Sequence, residues 1–592
     1  MKIKGEELER LQQIVVKSIK IFQERKRKEI KNLKYYFSEQ WSPEEIEERM
    51  QEERPIATFN HIKRFVNWLN GIIKQMDLEV KAMPRSIATE QVADIVTGIV
   101  RTALWEQRNK NAIDFAMLDA LIKGVGYVYI YPDFDEDPNG QIRIRRIDPL
   151  DVYFDSMSQE PDFSDAKFVF FIDRLSEDEL QMLYPNVYKQ IKSVSQSWSP
   201  FDYFFIKQED KLEFEEFLTM QQSMLESAYG KLYPVIRFRE KQYYDEPALI
   251  NTRTNYYITF PKLESEDELY SYAYWLNEQA GENIYKVDTV RVKRWRMVNF
   301  LGNFVLEAYD NPYGMSYYDI VPFFCYKLGR HYQSFVDDLI DPQDEFNWRK
   351  TLLIEILRDA TIDSFWIPKG SMTDTEIENA QEKLKKRKQL IPIRFEYGQP
   401  IPIQSDVINK LMAIAQLEQL LRIDIKEIGG MVDALMGIVP RKLQSGKAIQ
   451  ALQQWGFIPF ETIFSNYFFA LYLIANVVWR ISKYIYAKTE KVRIMLDTSG
   501  SEFQFIDLNI NTEFGKINQI LADDFDVYLI VKARSGDEIQ EKFAELLQLR
   551  SLGIPIPDEY LILFSKVPFK YQLINMLRQA REQIQNKEET EE

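Results

Sequence analysis

The sequence predicts an α+β chain, mainly helical and divided into several domains. Three observations carry this. At 592 residues the chain exceeds the length at which a single hydrophobic core keeps growing. Its β signals cluster between Gly124 and Val305, whereas helical periodicity dominates both ends. From Val336-Asp337 to Tyr486 the pattern reads helix, small domain, helix, glycine-containing loop and very long apolar helix.

In chain order, Leu8, Leu11, Ile14 and Val15 keep helical spacing, so residues 1 to about 53 are expected to be helix. Ser42-Pro43-Glu44-Glu45 is a capping box with Pro at the first helical position, and Arg54-Pro55 breaks the run. A helix over Asn60–Met76, a strand over Glu79–Pro84 and helix over 87–123 follow. Gly124 to Tyr131 is β-branched and aromatic, and with Asn139-Gly140 and Ile142–Ile147 it reads as a hairpin. Asp148–Phe154 and Ala166–Ile172 continue an α/β region. Leu180–Tyr229 reads as mainly helical, and Val235–Tyr244 and Lys286–Val305 as strands around a helix over Glu264–Gln279. Helix is expected at 333–360, short strands around a charged helix at 361–406, and helix again at Val407–Ile428. A long helix over Ser445–Ala487, kinked at Pro459, precedes strands at Val492–Leu496 and Asp526–Val531, and helices fill 537–585.

Composition bounds the function. One cysteine, Cys325, excludes an internal disulfide framework and fits a reducing cytoplasm. The N-terminal residues lack the apolar stretch of a signal peptide. The longest apolar run, Ser465–Arg480, falls short of the roughly 20 residues of a membrane span, so no membrane partner is expected. A net charge of −16 disfavours tight phosphate binding and fits either a surface along which DNA slides or ordinary solubility, which net charge alone does not separate.

No catalytic kit is legible. His61 and His331 lie far apart, and neither sits in a local nucleophile pattern. One Cys and two distant His cannot assemble a zinc site. Ser445-Gly446-Lys447-Ala448 lacks the leading Gly and the hydroxyl residue of a phosphate loop. Asp133, Asp135 and Asp137 suit a hairpin turn better than a metal site. No cofactor or metal is expected. Two basic clusters remain: Lys383, Lys385, Lys386, Arg387 and Lys388 at a helix end, and Arg441, Lys442 and Lys447 after Gly429-Gly430. Repeated around a ring, the second cluster would line an aperture with weak phosphate contacts.

Taken in order, several segments resemble the portal (head-to-tail connector) proteins of tailed bacteriophages, of the short-tailed type. They are Arg54-Pro55 with Thr58-Phe59-Asn60; Gly124-Val125-Gly126-Tyr127 with Ile147-Asp148-Pro149-Leu150-Asp151-Val152-Tyr153; Leu339–Asn347 with Asp341, Gln343 and Asn347; Ser445–Ile449 with Gln453; and Phe525-Asp526-Val527 with the helices that follow. The resemblance implies a portal-type ring subunit, usually twelve copies, at one capsid vertex, assembled in the host cytoplasm. Residues 1–332 would be the wing, 333–360 and 407–430 the stem, 361–406 the clip, 430–445 the channel loop and 537–592 the crown. Residues 445–536 would hold the long helix and the wing's return strands. It further implies a conduit for double-stranded DNA without ATPase activity, binding the terminase large subunit and then adaptor and tail proteins, beside major capsid and scaffolding protein. Trp366 and the Lys383–Lys388 cluster are the expected clip surface. A metal-dependent nuclease or packaging ATPase, and a capsid scaffold without a channel, are the rival readings.

Overall fold

The computed structural model describes residues 5–52, 54–84, 90–135, 140–194, 232–253, 256–259, 266–311, 313–359, 365–366, 373–385, 401–402, 407–430, 456–486, 491–495, 503–508, 510–512, 515–517, 525–532 and 536–563, with a few single positions besides. Helix accounts for 54% and strand for 27%, which matches the expected mainly helical α+β class.

The first helical region is two helices, α1 (Gly5–Tyr36) and α2 (Pro43–Gln51). Ser38 turns the chain between them at φ 73. Ser42 then caps α2, accepting from Glu45 N while the Glu45 carboxylate accepts from Ser42 N. After α3 (His61–Gln75) and β1 (Asp77–Pro84), the helix expected to 123 divides into α4 (Glu90–Trp105) and α5 (Gln107–Lys123). Gly124 closes α5 in the left-handed conformation, φ 91, as helix C-termini favour. Gly126 lets the next strand lie directly on α5, because a Cβ there would stand 1.8 Å from the Ala116 carbonyl oxygen.

That strand, β2 (Val125–Asp133), and β3 (Gln141–Ile147) form the expected hairpin. Strands β4 (Val152–Phe154) and β5 (Phe168–Ser176) and helices α6 (Glu177–Leu183) and α7 (Pro185–Val194) follow. Beyond them lie β6 (Leu232–Asn251), β7 (Tyr256–Thr259), α8 (Glu266–Ala280), β8 (Tyr285–Leu301) and β9 (Phe304–Asp310). These build a sheet in the order β4-β5-β6-β8-β9, with β7 paired to β6. β10 (Ile320–Phe324), which sequence reading missed, completes a second sheet in the order β10-β2-β3. Its Pro322 is tolerated because β10 is an edge strand.

A small hairpin, β11 (Tyr326–Leu328) with β12 (His331–Gln333), occupies the start of the region expected to be helical from 333. Helix α9 therefore begins at Ile340 and runs to Asp359. Next come β13 (Phe365–Trp366), α10 (Asp374–Lys385), β14 (Ile401–Pro402) and α11 (Val407–Ile428). At Ile458–Phe460 a 3-10 turn containing Pro459 interrupts the expected long helix, and α12 spans Glu461–Ile485. The C-terminal elements are β15 (Lys491–Met495), β16 (Phe503–Asp507), β17 (Ile510–Thr512), β18 (Gly515–Ile517), β19 (Phe525–Lys532), α13 (Gly536–Ser551) and α14 (Asp558–Leu563). β19 pairs antiparallel with β1, tying the end of the chain to its beginning.

Helix α12 is the central beam of the core, packed on β2, β3, β10, β19 and α4. Its apolar extent, Ile458–Ile485, is longer than the Ser465–Arg480 run read from sequence, and by length and hydropathy it could cross a membrane. Burial of 61% of its most apolar window inside the fold accounts for that composition as core. Asn466, within it, donates to the Cys325 carbonyl at 3.0 Å. Where α1 crosses the 147–154 segment, the fold buries charge. Lys26 Nζ donates to the Pro149 carbonyl at 2.5 Å and pairs with Glu29 at 3.3 Å. Asp148 accepts from Lys123 Nζ at 2.9 Å and from Leu150 N at 3.0 Å, and Arg174 pairs with Asp151 at 2.6 Å. Each charge taken from water there has a partner, as burial requires. The Ile147–Tyr153 segment is thus a keystone of the fold.

Candidate functional site

The site is the base of the hairpin formed by α9 and α11. Gly429 at the end of α11 packs near Leu339, and Lys350 meets Glu418 at 2.6 Å, so the two helices run antiparallel. Of the three residues singled out on α9, Gln343 and Asn347 are fully buried and Asp341 faces solvent. Gln343 and Asn347 lie one turn apart on the same face. Together they bind the backbone of the chain entering α3. Gln343 Nε2 donates to the Phe59 carbonyl at 2.8 Å, and its Oε1 accepts from His61 N at 2.9 Å. Asn347 Oδ1 accepts from Phe59 N at 2.9 Å, and its Nδ2 donates to Gln40 Oε1 at 2.5 Å.

Asn60 carries the network back to α1. Its Nδ2 donates to the carbonyls of Tyr35 and Tyr36, while its Oδ1 caps α3 by accepting from Lys63 N at 2.8 Å. Arg54 reaches Glu355 on α9 at 3.3 Å. The two segments of the resemblance, 54–60 and 339–347, are therefore complementary halves of one joint. Gln40 is a member that sequence reading missed, since nothing local distinguishes it from a surface glutamine.

His61 packs edge-on against Phe346, 4.6 Å between ring centroids. Burial, then the cations Arg422 and Arg64, hold its imidazole below the ordinary value. Burial likewise pushes the Asp344 carboxyl up, where it accepts from the Tyr35 hydroxyl at 2.8 Å. His331 lies exposed on β12. Asp133 accepts from Asp135 N and Arg143 Nε, which is a turn role, and Asp137 lies outside the described residues.

Both insertions leave this hairpin through closed gates. Phe365 and Trp366 pair with Pro402 and Ile401, so the 365–402 segment starts and ends at one place between α9 and α11. Lys383 and Lys385 fall in the last turn of α10, while Lys386, Arg387 and Lys388 lie outside the described residues. At the other end, Gly430 takes φ 64, and a Cβ on it would stand 3.1 Å from both Pro459 and Phe460. The chain that departs at Gly430 thus returns beside its own exit. Phe460 is held there by Trp68 and Phe335, at 5.9 and 6.2 Å between centroids. Arg441, Lys442 and Lys447 belong to the interval between, outside the described residues.

The site is thus a helical hairpin joined at its root to the chain entering α3, with the 365–402 segment inserted at its far end and the chain leaving again at Gly430. The chain belongs to the phage P22-like portal protein family, whose description matches residues 17–592. This family is structural, not enzymatic. A portal protein of Helicobacter pylori bacteriophage KHP30 is 23% identical over 174 residues, a segment covering 28% of this chain and 29% of that relative.

Proposed function

We propose that this chain is the subunit of a ring, twelve copies being expected, that forms the DNA conduit at one capsid vertex. In this reading residues 1–332 are the wing, α9 and α11 the stem, 361–406 the clip, 430–445 the channel loop, 445–536 the long helix and return strands, and 537–592 the crown. The observation that carries it is the incompleteness of α11. Among its described side chains only Ile425 is buried, while Met412, Leu417, Leu420, Ile423 and Ile428 are exposed. Such a helix needs cover, and neighbouring copies in a closed heterologous ring supply it.

The electrostatics suit passage of a duplex. A net charge of −16 repels phosphate over the short range left by screening, so DNA does not adhere to the protein at large. Arg441, Lys442 and Lys447 would give brief, sequence-blind contacts from the channel loop. Trp366 with Lys383, Lys385, Lys386, Arg387 and Lys388 would dock the terminase large subunit during packaging, and adaptor and tail proteins afterwards. Major capsid and scaffolding protein would surround the wing. Replacing Arg441, Lys442 and Lys447 by Ala is expected to lower retention of packaged DNA with ring assembly intact. Unchanged packaging and retention in that triple variant would remove the loop from the mechanism.

A further inference from the structure

The β6–β8 ribbon ends in a module with a surface unlike the rest of the chain. At its root, pairs such as Ile236 with Phe300 lie in the main core. At its tip, Asn251 pairs with Tyr285, and α8 packs back on the ribbon through a separate small core of Leu249, Leu269 and Ala273. That inner face stabilises the module without help from the outer one. The outer face of α8 carries Asp267, Tyr270, Tyr274, Trp275 and Glu278, following the helical period. Tyr270, Tyr274 and Trp275 are 55%, 67% and 41% exposed. Three large aromatic side chains on one solvent face of one helix are the composition of interface centres, not of ordinary surface.

The charge around them selects the partner. Helix α8 itself carries four carboxylates, Glu266, Asp267, Glu268 and Glu278, and no Lys or Arg, and Asp267 and Glu278 are exposed. At the ribbon's tip the cations Arg253 and Lys286 are engaged by Glu282 and Asp288. Aromatic faces attract guanidinium and ammonium groups, and adjacent carboxylates accept their hydrogen bonds. A nucleic acid would be repelled by the same carboxylates. We infer that the outer face of α8 is a docking surface for an arginine- and lysine-rich segment of a partner protein. The inference makes no use of the channel reading and survives its failure.

The test uses the full-length protein and a fluorescent peptide of alternating arginine and glycine, with its glutamine-for-arginine counterpart and a short DNA duplex as comparisons. Tyr270→Ser with Tyr274→Ser removes the aromatics at constant charge. It is expected to weaken the basic peptide at least tenfold, whereas Tyr270→Phe with Tyr274→Phe retains binding. Glu47→Gln with Glu48→Gln on the exposed face of α2 should leave binding unchanged, which separates the site from bulk charge. Equal peptide binding by wild type and the serine variant overturns the proposal. So does a duplex that binds through these tyrosines in place of the peptide. Loss of self-assembly in the serine variant also overturns it, by assigning the face to a second copy.

Discussion

The α1–α5 block and the α9–α11 hairpin are built on opposite principles. Where α1 crosses the 147–154 segment, Lys26, Glu29, Lys123, Asp148, Asp151 and Arg174 satisfy one another, and α12 fills the core behind them. That region is finished within one chain. On the hairpin only one side of the root is finished, where Gln343, Phe346, Asn347 and Thr351 of α9 are buried. At the same level Leu420 and Ile423 on α11 remain exposed, and so does Leu357 farther out on α9. The difference sets a core whose buried charges are satisfied within the chain beside a helix whose apolar face the described chain leaves uncovered.

The largest effect should come from striking the finished block. Gly126→Ala drives a methyl into the Ala116 carbonyl and should cost about 3 kcal/mol or more, as overpacking against backbone does. Soluble yield and thermal unfolding read it, and a variant as stable as wild type would mean that β2 and α5 are not so closely apposed. Leu420→Asp with Ile423→Asp attacks the unfinished region instead. Assembly should fall by more than tenfold, while unfolding of the isolated subunit shifts by no more than about 0.5 kcal/mol, as for surface positions. Equal loss of folding and assembly would erase the contrast between the regions.

The joint between them gives a smaller effect. Gln343→Ala leaves the part-buried Phe59 carbonyl and His61 N–H without their side-chain partner, at about 1 kcal/mol for each hydrogen bond lost. Amide exchange at 59–61 should accelerate before that of β2. Smallest is a pH effect. Burial first holds His61 below its ordinary value of 6.5, and Arg422 on α11, Arg64 on α3 and Lys350 on α9 oppose its protonation while Glu418 favours it. The unfolded chain therefore takes up the proton more readily, so stability is intact above pH 6.5 and declines as pH falls below it. His61→Gln should flatten that decline, and parallel stability curves for the two proteins would contradict the assignment.

Legibility in the sequence followed the same divide. The β2–β3 hairpin and the span of α11 were readable because turn residues and periodicity are local signals. The Ser42 capping box was equally plain, whereas Asn60, read as the first helical residue, proves to be the cap of α3. β10 was hidden by Pro322, and the pairing of β1 with β19 carries no local mark because its partners lie at opposite ends of the chain. At the candidate site, residues 58–60 and 343–347 were each visible, yet their union is tertiary, and Gln40 joins them without any sequence signature. The loop cations were legible as charge alone; Gly430 beside Pro459 and Phe460 shows what sequence could not, that the chain leaving α11 and the chain entering α12 meet at one place.

Native mass measurement of the full-length protein, with negative-stain imaging of the same sample, tests the central claim most directly. The account predicts a closed ring of about twelve copies around a stain-filled hole, lost in the Leu420→Asp, Ile423→Asp variant. A folded wild-type chain that stays monomeric at high protein concentration would contradict it.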